Sequence, residues 1–434
     1  MDPLGAAFAV LTLIIFISSG VFAADYMKDE KNKRSFYVFF SLSMCVQLAM
    51  CAASNLVTFY MCYELLTVLS MPLVIHERTK EAKAAALKYL FFSLFGAYGA
   101  LFGIYNLSHF ASSLDFIQGG RIGADVFAAH EGLLLASAMA LILGFGVKAG
   151  MWPMHAWLPT AHPIAPSPAS AALSACIVKA GVLGIIRSIW YVFGADKLKG
   201  TWVQTAFMIL ALITVFMGSM LAFKEPVLKK RLAYSTVSQV SYILFGLAVS
   251  FGAVIPYGTS ADGTLVSDAL TGAMLHVFAH GFIKAALFLT AGAIIHHTGA
   301  TRVEEMRGIG LKMPVTMTCY TIVSLGLIGI PPTGGFTSKW YLATGAIAAD
   351  IPVFKYLGPA VLLVSALLTA GYLLPLMITG FFPGADYRDK FRGEDLRDEP
   401  GPLMTIPIAT LTLLSVLIGL FPEPLIDLIR MVFI

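Results

Sequence analysis

Six charged side chains sit in stretches that otherwise offer only apolar neighbours. Glu64 stands alone in NLVTFYMCYELLTVLSMPLVI, and Lys148, Lys179, Arg187, Lys284 and Lys339 each interrupt a hydrophobic run. A charged group at the centre of a membrane helix costs on the order of 3 kcal/mol even on lenient insertion scales, so it is kept where it faces water, a partner or a transported ion. One acid with several bases in such runs therefore reads as an ion path. A second constellation is HVFAHGFIKAALF, with His276, His280 and Lys284 at i, i+4 and i+8. That spacing lines the three along about 12 Å of helix. Imidazole titrates near neutral pH and can donate on one nitrogen while accepting on the other, which suits proton relay. Structural hydrogen bonding is the other reading of the pair, and a metal site is disfavoured because it lacks a third ligand and the lysine repels a cation.

The elements that position these groups follow from composition. Of 434 residues, 58% are apolar and 12% charged, whereas a soluble chain carries roughly 25% charged residues. A soluble fold, disorder, collagen and a disulfide scaffold are excluded, and the chain reads as an all-α polytopic membrane protein. The net charge of +4 says little until the charges are placed. Cys45, Cys51, Cys62, Cys176 and Cys319 are scattered through apolar runs with no CxxC pair. They read as small buried hydrophobes, with no iron–sulfur or zinc site and no cofactor expected in this chain. The first 24 residues lack a basic leader and a small-residue cleavage site, so they read as a retained span.

Hydropathy predicts about twelve spans: 4–24, 36–53, 54–75, 88–110, 132–160, 164–193, 203–223, 232–254, 268–297, 313–349, 356–383 and 403–421. The odd loops between them hold 19 of the 29 Lys and Arg residues, including Arg388, Lys390, Arg392 and Arg397, and the even loops hold 4. The positive-inside rule then places the odd loops in the cytoplasm and both termini outside. Two spans are interrupted in similar style, by GFGVKAGMWP around Lys148 and by GIPPTGGFTSK before Lys339. Proline and glycine unwind a helix, and unwound backbone survives in a bilayer only beside protein or a wet cavity. These two spans are the fifth and the tenth, so they run in opposite directions, which is the sequence sign of an inverted repeat. The expected organisation is an N-terminal helix at 1–35, repeats at 36–193 and 203–383 as two proton half-channels, and a last loop and helix at 384–434.

At these residues the chain resembles the antiporter-like proton-translocating family shared by respiratory NADH dehydrogenase (complex I), Mrp cation/proton antiporters and membrane-bound energy-converting hydrogenases. The stretches that carry the resemblance are YELLTVLSMPL, GFGVKAGMWPMHAWLPTAHPIAPSPASAALSACIVKAG, KKRLAYSTVSQVSYI, HVFAHGFIKAALFLTAGAIIH and GIPPTGGFTSKW. It implies two inverted five-helix repeats, two discontinuous helices and a polar axis joining two half-channels. It also implies roles: Glu64 as the intramembrane glutamate, Lys148 as its lysine partner, Lys179 as the connecting lysine, His276 and His280 as axis histidines, and Lys339 as the terminal lysine. Lys284 and Arg187 fall at motif positions without a defined role. Members commonly carry two further N-terminal helices, so this chain is expected to begin at what would be their third, and PEPLIDLIRMVFI offers no long lateral helix.

The mechanism expected on that basis is electrostatic. An ionised Glu64 stabilises the Lys148 ammonium, and withdrawing or neutralising the carboxylate drives a proton toward Lys179, the His276/His280 face and Lys339. Unit charges 4 Å apart at an effective dielectric near 20 interact by about 4 kcal/mol. A proton-motive force supplies about 2.3 kcal/mol per charge per 100 mV, so the two are comparable. The expected setting is the plasma membrane of a prokaryote, in a multi-subunit complex whose partner subunits carry flavin, iron–sulfur or nickel–iron centres. Protons, or sodium with protons, are the transported ions, and nucleic acid is not a partner. The alternatives are an Mrp-type antiporter subunit without a redox partner and a stand-alone solute transporter.

Overall fold

The computed structural model describes residues 1–251, 267–349, 351–385 and 398–433. Among them the chain is helical throughout, apart from two isolated bridges that tie loops together, Asn55 to Asp115 and Val227 to Arg302. We number the helices α1 (Pro3–Tyr26), α2 (Lys33–Ala52), α3 (Leu56–Val74), α4 (Lys80–Phe110), α5 (Glu131–Ala149), α6 (Leu158–Ile164) and α7, which runs from Ser167 to Phe193. They continue as α8 (Trp202–Lys224), α9 (Leu228–Val249), α10 (Asp268–Thr298), α11 (Pro314–Ile328), α12 (Gly334–Ala348), α13 (Phe354–Phe381), α14 (Pro402–Leu420) and α15 (Glu423–Phe433). Eleven described helices are long and apolar enough to cross a membrane, α5 and α6 counting as one. The remaining expected span, 313–349, is divided into α11 and α12 of 15 residues each. Each measures about 22 Å, too short to cross the roughly 30 Å core alone.

Local chemistry sets the helix ends. Asp2, Asn55, Thr79 and Ser267 cap α1, α3, α4 and α10 by accepting from Gly5, Thr58, Ala82 and Leu270 backbone N–H groups at 2.8–3.2 Å. Both breaks close on a left-handed glycine, Gly150 (φ 80) after α5 and Gly329 (φ 98) after α11, a conformation that a side chain would strain. A cis X-Pro bond follows each, at Trp152–Pro153 and Pro331–Pro332. Glycine also lets the broken helices approach their neighbours. A Cβ at Gly181 would lie 2.4 Å from Phe145 O and hold α7 off α5, and one at Gly335 would lie 1.9 Å from Gly326 O and hold α12 off α11.

The helices sort by environment. α7, α9 and α10 are apolar or weakly polar all round and almost wholly enclosed, while α2, α3, α13 and α14 expose one face. The core therefore runs along α7, α9 and α10, the helices that carry most of the buried lysines and histidines. α15 is an element that the sequence reading missed. Its Ile426, Ile429, Val432 and Phe433 are buried at helical spacing, and Val432 O accepts from the Gln118 side chain. Arg388, Lys390, Arg392 and Arg397, counted above in the last odd loop, lie outside the described residues, as does the end of the expected span 232–254. Lys229, counted as a loop charge, is instead buried in the first turn of α9.

Candidate functional site

Lys148 lies two residues before the first break and is fully buried. Its ammonium donates to Tyr63 O at 2.9 Å and Thr67 Oγ1 at 2.7 Å on α3, and it sits 3.8 Å from the centre of the Tyr63 ring. Glu64 is adjacent to Tyr63 in sequence but turned about 100° round the helix. It is half-buried beside the exposed Met61, Leu65 and Val68, and its Oε1 has no hydrogen-bond partner. The expected Glu64–Lys148 ion pair is therefore not formed in this structure. The helix spacing puts tyrosine and threonine, one turn apart, on the face that α5 meets, and the glutamate beside it.

Lys179 follows a π-helical turn at Leu173–Ile177 in α7. The widened turn frees a carbonyl, and Lys179 donates to Ser174 O at 2.9 Å. Its Nζ also lies 2.7 Å from His280 Nδ1, so the first repeat meets α10 through a direct lysine–histidine contact. The rings of His280 and His276 are stacked 5.7 Å apart, and Nε2 of both is buried without a protein partner. His276 Nδ1 shares a hydrogen with Ser338 Oγ at 2.8 Å, and its ring stacks on Tyr242 at 5.6 Å. Lys339 sits over the same Tyr242 ring at 5.0 Å. Its ammonium folds back across the second break onto Leu327 O at 2.6 Å and Ile328 O at 3.0 Å. These are the free carbonyls at the C-terminal end of α11, where the helix dipole favours a cation.

Lys284 completes the α10 face but points to α9, donating to Leu232 O at 2.8 Å and to Ser235 Oγ. Arg187 is elsewhere and does something else. It begins a second π-helical segment, Arg187–Phe193, and its guanidinium grips both Asp2 carboxylate oxygens at 2.5 Å, between the Phe116 and Tyr191 rings. That is a clasp between the chain's first residues and α7, outside the line of lysines and histidines. Asp2 lies beyond the end of α1. Burial raises its pKa, but the hydrogen bonds and charge of Arg187 outweigh this and hold it below the ordinary carboxylate value.

The arrangement thus brings together Lys179, His280, His276 and Lys339 through contacts of hydrogen-bond or ring-stacking length, with Lys284 further along α10 and Lys148 on the neighbouring α5. Sequence reasoning missed Tyr242, Ser338, Thr67 and Ser235, the uncharged members of the network. Their signal is present in hydroxyls facing the lysines at helical spacing, as in TVSQVSYI, where Tyr242 falls on the enclosed side of α9. It also missed His162 and Lys229, discussed below. Among the described residues, no three His, Cys, Asp or Glu side chains gather as a metal ion would require.

Residues 53–369 match the model of the family described as NADH:quinone oxidoreductase/Mrp antiporter, TM. The chain is 31% identical to NADH-quinone oxidoreductase subunit N of Desulforudis audaxviator, over 98% of this chain and 82% of that protein. It is 30% identical to Na(+)/H(+) antiporter subunit A1 of Staphylococcus aureus over 97% of its own length, but spans about half (52%) of that relative. In shape it matches a chain of the Mrp complex from Dietzia sp. DQ12-45-1b with a TM-score of 0.82 at 20% identity, over 100% of this chain and 83% of that one, which establishes the shared fold. By the extent of the family match and the near full-length relative, the chain is a member of the NADH:quinone oxidoreductase/Mrp antiporter membrane family.

Proposed function

We propose that the chain is a proton-translocating, antiporter-like subunit of a multi-subunit membrane complex driven by a redox reaction in its partner subunits, of the NADH dehydrogenase or energy-converting hydrogenase kind. The observation that carries this reading is the 2.7 Å contact of Lys179 with His280, which joins two enclosed helices at the centre of the molecule. Lysine and imidazole both release and accept protons, and a contact of that length lets a proton pass without either residue moving far. Lys148 lies on one side of this junction, and His276, Tyr242 and Lys339 on the other. The two halves correspond to the repeats expected at 36–193 and 203–383, each containing a broken helix with a lysine beside the break. The chain itself supplies the path and no redox group, and it lies in the plasma membrane with the basic loops toward the cytoplasm and both termini outside.

Glu64 enters as a second seat for the Lys148 ammonium. When Lys148 leaves Thr67 for Glu64, the positive charge nearest Lys179 on that side withdraws, and the balance of charge along the axis changes. The similarity to Na(+)/H(+) antiporter subunit A1 favours a second reading, an antiporter subunit with no redox partner and sodium as counter-ion. Purifying the native complex and recording flavin, iron–sulfur and nickel signals separates the two. Cofactor spectra that co-purify with this chain support the first reading, and a cofactor-free complex that exchanges sodium for protons supports the second. In either case Lys179→Met should stop translocation, and transport at the normal rate would rule out the axis.

A further inference from the structure

The α10 stripe does not end at Lys284. Every fourth residue continues it as Phe288, Gly292 and His296, each step advancing about 6 Å and turning about 40° round the helix. Each of these positions meets a polar side chain that the axis described above leaves out. The His162 ring lies on Phe288 at 4.8 Å, and Lys284 Nζ approaches the same ring centre to 5.9 Å. Ser167 rests on Gly292, where an added Cβ would come within 2.7 Å of its Oγ. His296 packs against Tyr26 with the rings tilted and their centres 5.0 Å apart. His162 and Ser167 are buried to within 1% of full enclosure; both His162 ring nitrogens lack a protein partner, and Ser167 has the Tyr26 hydroxyl beside it. Buried polar atoms are nearly always satisfied, so a fully buried imidazole with neither nitrogen partnered marks a place built for water or a migrating proton.

The row has an outlet. Tyr26 and His296 line a cavity of about 370 Å³ with Asp29, Glu30, His76 and Glu77, at the membrane face that carries the basic odd loops. Lys229 holds the His162 segment in place, donating to Pro163 O at 3.2 Å and Ala165 O at 2.5 Å. Ser170 Oγ braces it further by donating to His162 O at 2.9 Å.

We infer that this row is the proton intake: the polar cavity collects protons from the cytoplasmic side, and Ser167 and His162 pass them along α10 to Lys284 and so to the Lys179–His280 junction. No bond other than N–H and O–H is made or broken, and His162 returns to its starting state after each proton. The inference rests on the translocation reading above. It is tested in proteoliposomes holding the whole complex, with a pH-sensitive dye reporting uptake from the side of the basic loops. His162→Gln keeps a polar side chain but cannot carry a proton, and is expected to slow the initial rate at least tenfold in a complex of unchanged subunit composition. Ser167→Val is expected to slow it too, and the double variant to be no slower than His162→Gln, because the two act in series. Imidazole added to His162→Gly should restore part of the rate, which a packing role would not allow. A normal rate in assembled His162→Gln overturns the intake; if that variant does not assemble, a normal rate in Ser167→Val does so. Lys179→Met, run beside them, separates the two ideas: if it alone stops uptake, the intake is wrong and the translocation reading stands.

Discussion

Replacing Thr67 by Val would show whether the Lys148 ammonium has two seats. In the structure it rests on Thr67 Oγ1 at 2.7 Å and Tyr63 O at 2.9 Å, while Glu64 Oε1, one residue along, has no partner. Valine keeps the shape and removes the acceptor. A hydrogen bond to a charged group is worth about 1.5–3 kcal/mol, so the present seat is weakened by that amount. The alternative is Glu64, worth about 4 kcal/mol at contact and an effective dielectric near 20, and less here because that carboxylate is half-exposed. The population at Glu64 should therefore rise by roughly tenfold to a hundredfold. Four proteins decide the matter: wild type, Thr67→Val, Glu64→Gln and the double variant, each assembled in the complex and assayed for translocation and thermal midpoint. Thr67→Val alone should lose little stability, because Glu64 receives the ammonium, but should pump slowly with the charge held in one seat. In the Glu64→Gln background the same change leaves the ammonium only the Tyr63 carbonyl and no carboxylate, and the loss should be larger by at least about 1 kcal/mol. Additivity within about 0.5 kcal/mol would refute the two-seat argument. Thr67→Ser, which keeps the hydroxyl, should behave as wild type in both backgrounds.

Three further outcomes follow from the geometry. Asp2→Asn should destabilise the protein by about 2–3 kcal/mol, because a 1% exposed guanidinium loses its counter-charge while the 34% exposed Asp2 side was already partly screened. Since the folded carboxyl titrates below its ordinary value of 3.8, its contribution is complete above that pH and disappears as the pH falls through the folded value. Thermal midpoints of wild type and Asp2→Asn should thus differ by a constant amount from pH 7 to about pH 5 and converge only in stronger acid; a gap that closes near neutrality would contradict the assignment. Gly335→Ala should reduce the yield of assembled protein several-fold on size-exclusion chromatography, its Cβ lying 1.9 Å from Gly326 O, whereas Gly119→Ala, with nothing within 4 Å, should cost only the 1–2 kcal/mol (about) of a left-handed residue. Lys339→Arg should keep the thermal midpoint, because a cation remains at the end of α11, and should abolish translocation, because a guanidinium does not release its proton; pumping by the arginine variant would remove Lys339 from the path.

Most of the fold was legible because apolar runs long enough to cross a membrane have few alternatives, and both breaks were legible because glycine and proline act through the backbone alone. What hydropathy cannot see is which side of a helix a neighbour covers. Glu64 and Lys148 looked like a pair because both are rare charges in apolar runs, yet the α3 face toward α5 belongs to Tyr63 and Thr67. Lys229 scored as a loop charge because three basic residues in a row read as cytoplasmic; its own side chain turns inward to the carbonyls of Pro163 and Ala165. His162 was hidden because it fell in the short gap between the expected spans 132–160 and 164–193, although its segment is enclosed by α9 and α10. α15 was short enough to pass for a tail, and only its burial against α1 and α10 distinguishes it.

The buried bases divide by the kind of partner each has, and the division follows what each side chain can do. Lys148, Lys179, Lys229, Lys284 and Lys339 each donate to at least one backbone carbonyl, and none lies within ion-pair distance of a carboxylate in the described structure. Arg187 is the opposite case, clamped on both oxygens of Asp2. A carboxylate at contact would lock a lysine in its charged form, since releasing the proton would leave a buried anion unpaired. A carbonyl dipole accepts from the ammonium yet carries no net charge to be stranded when the proton leaves. Carbonyl seats therefore suit a group that must alternate between charged and neutral, and a carboxylate seat suits one that must stay charged and hold two segments together. On this ground the carbonyl seats support the proposed path through Lys148, Lys179, Lys284 and Lys339 and the carboxylate seat marks Arg187 as scaffold, while Lys229 uses its carbonyl seats to hold the His162 segment, and Glu64, whose Oε1 has no partner, is placed to take the Lys148 charge.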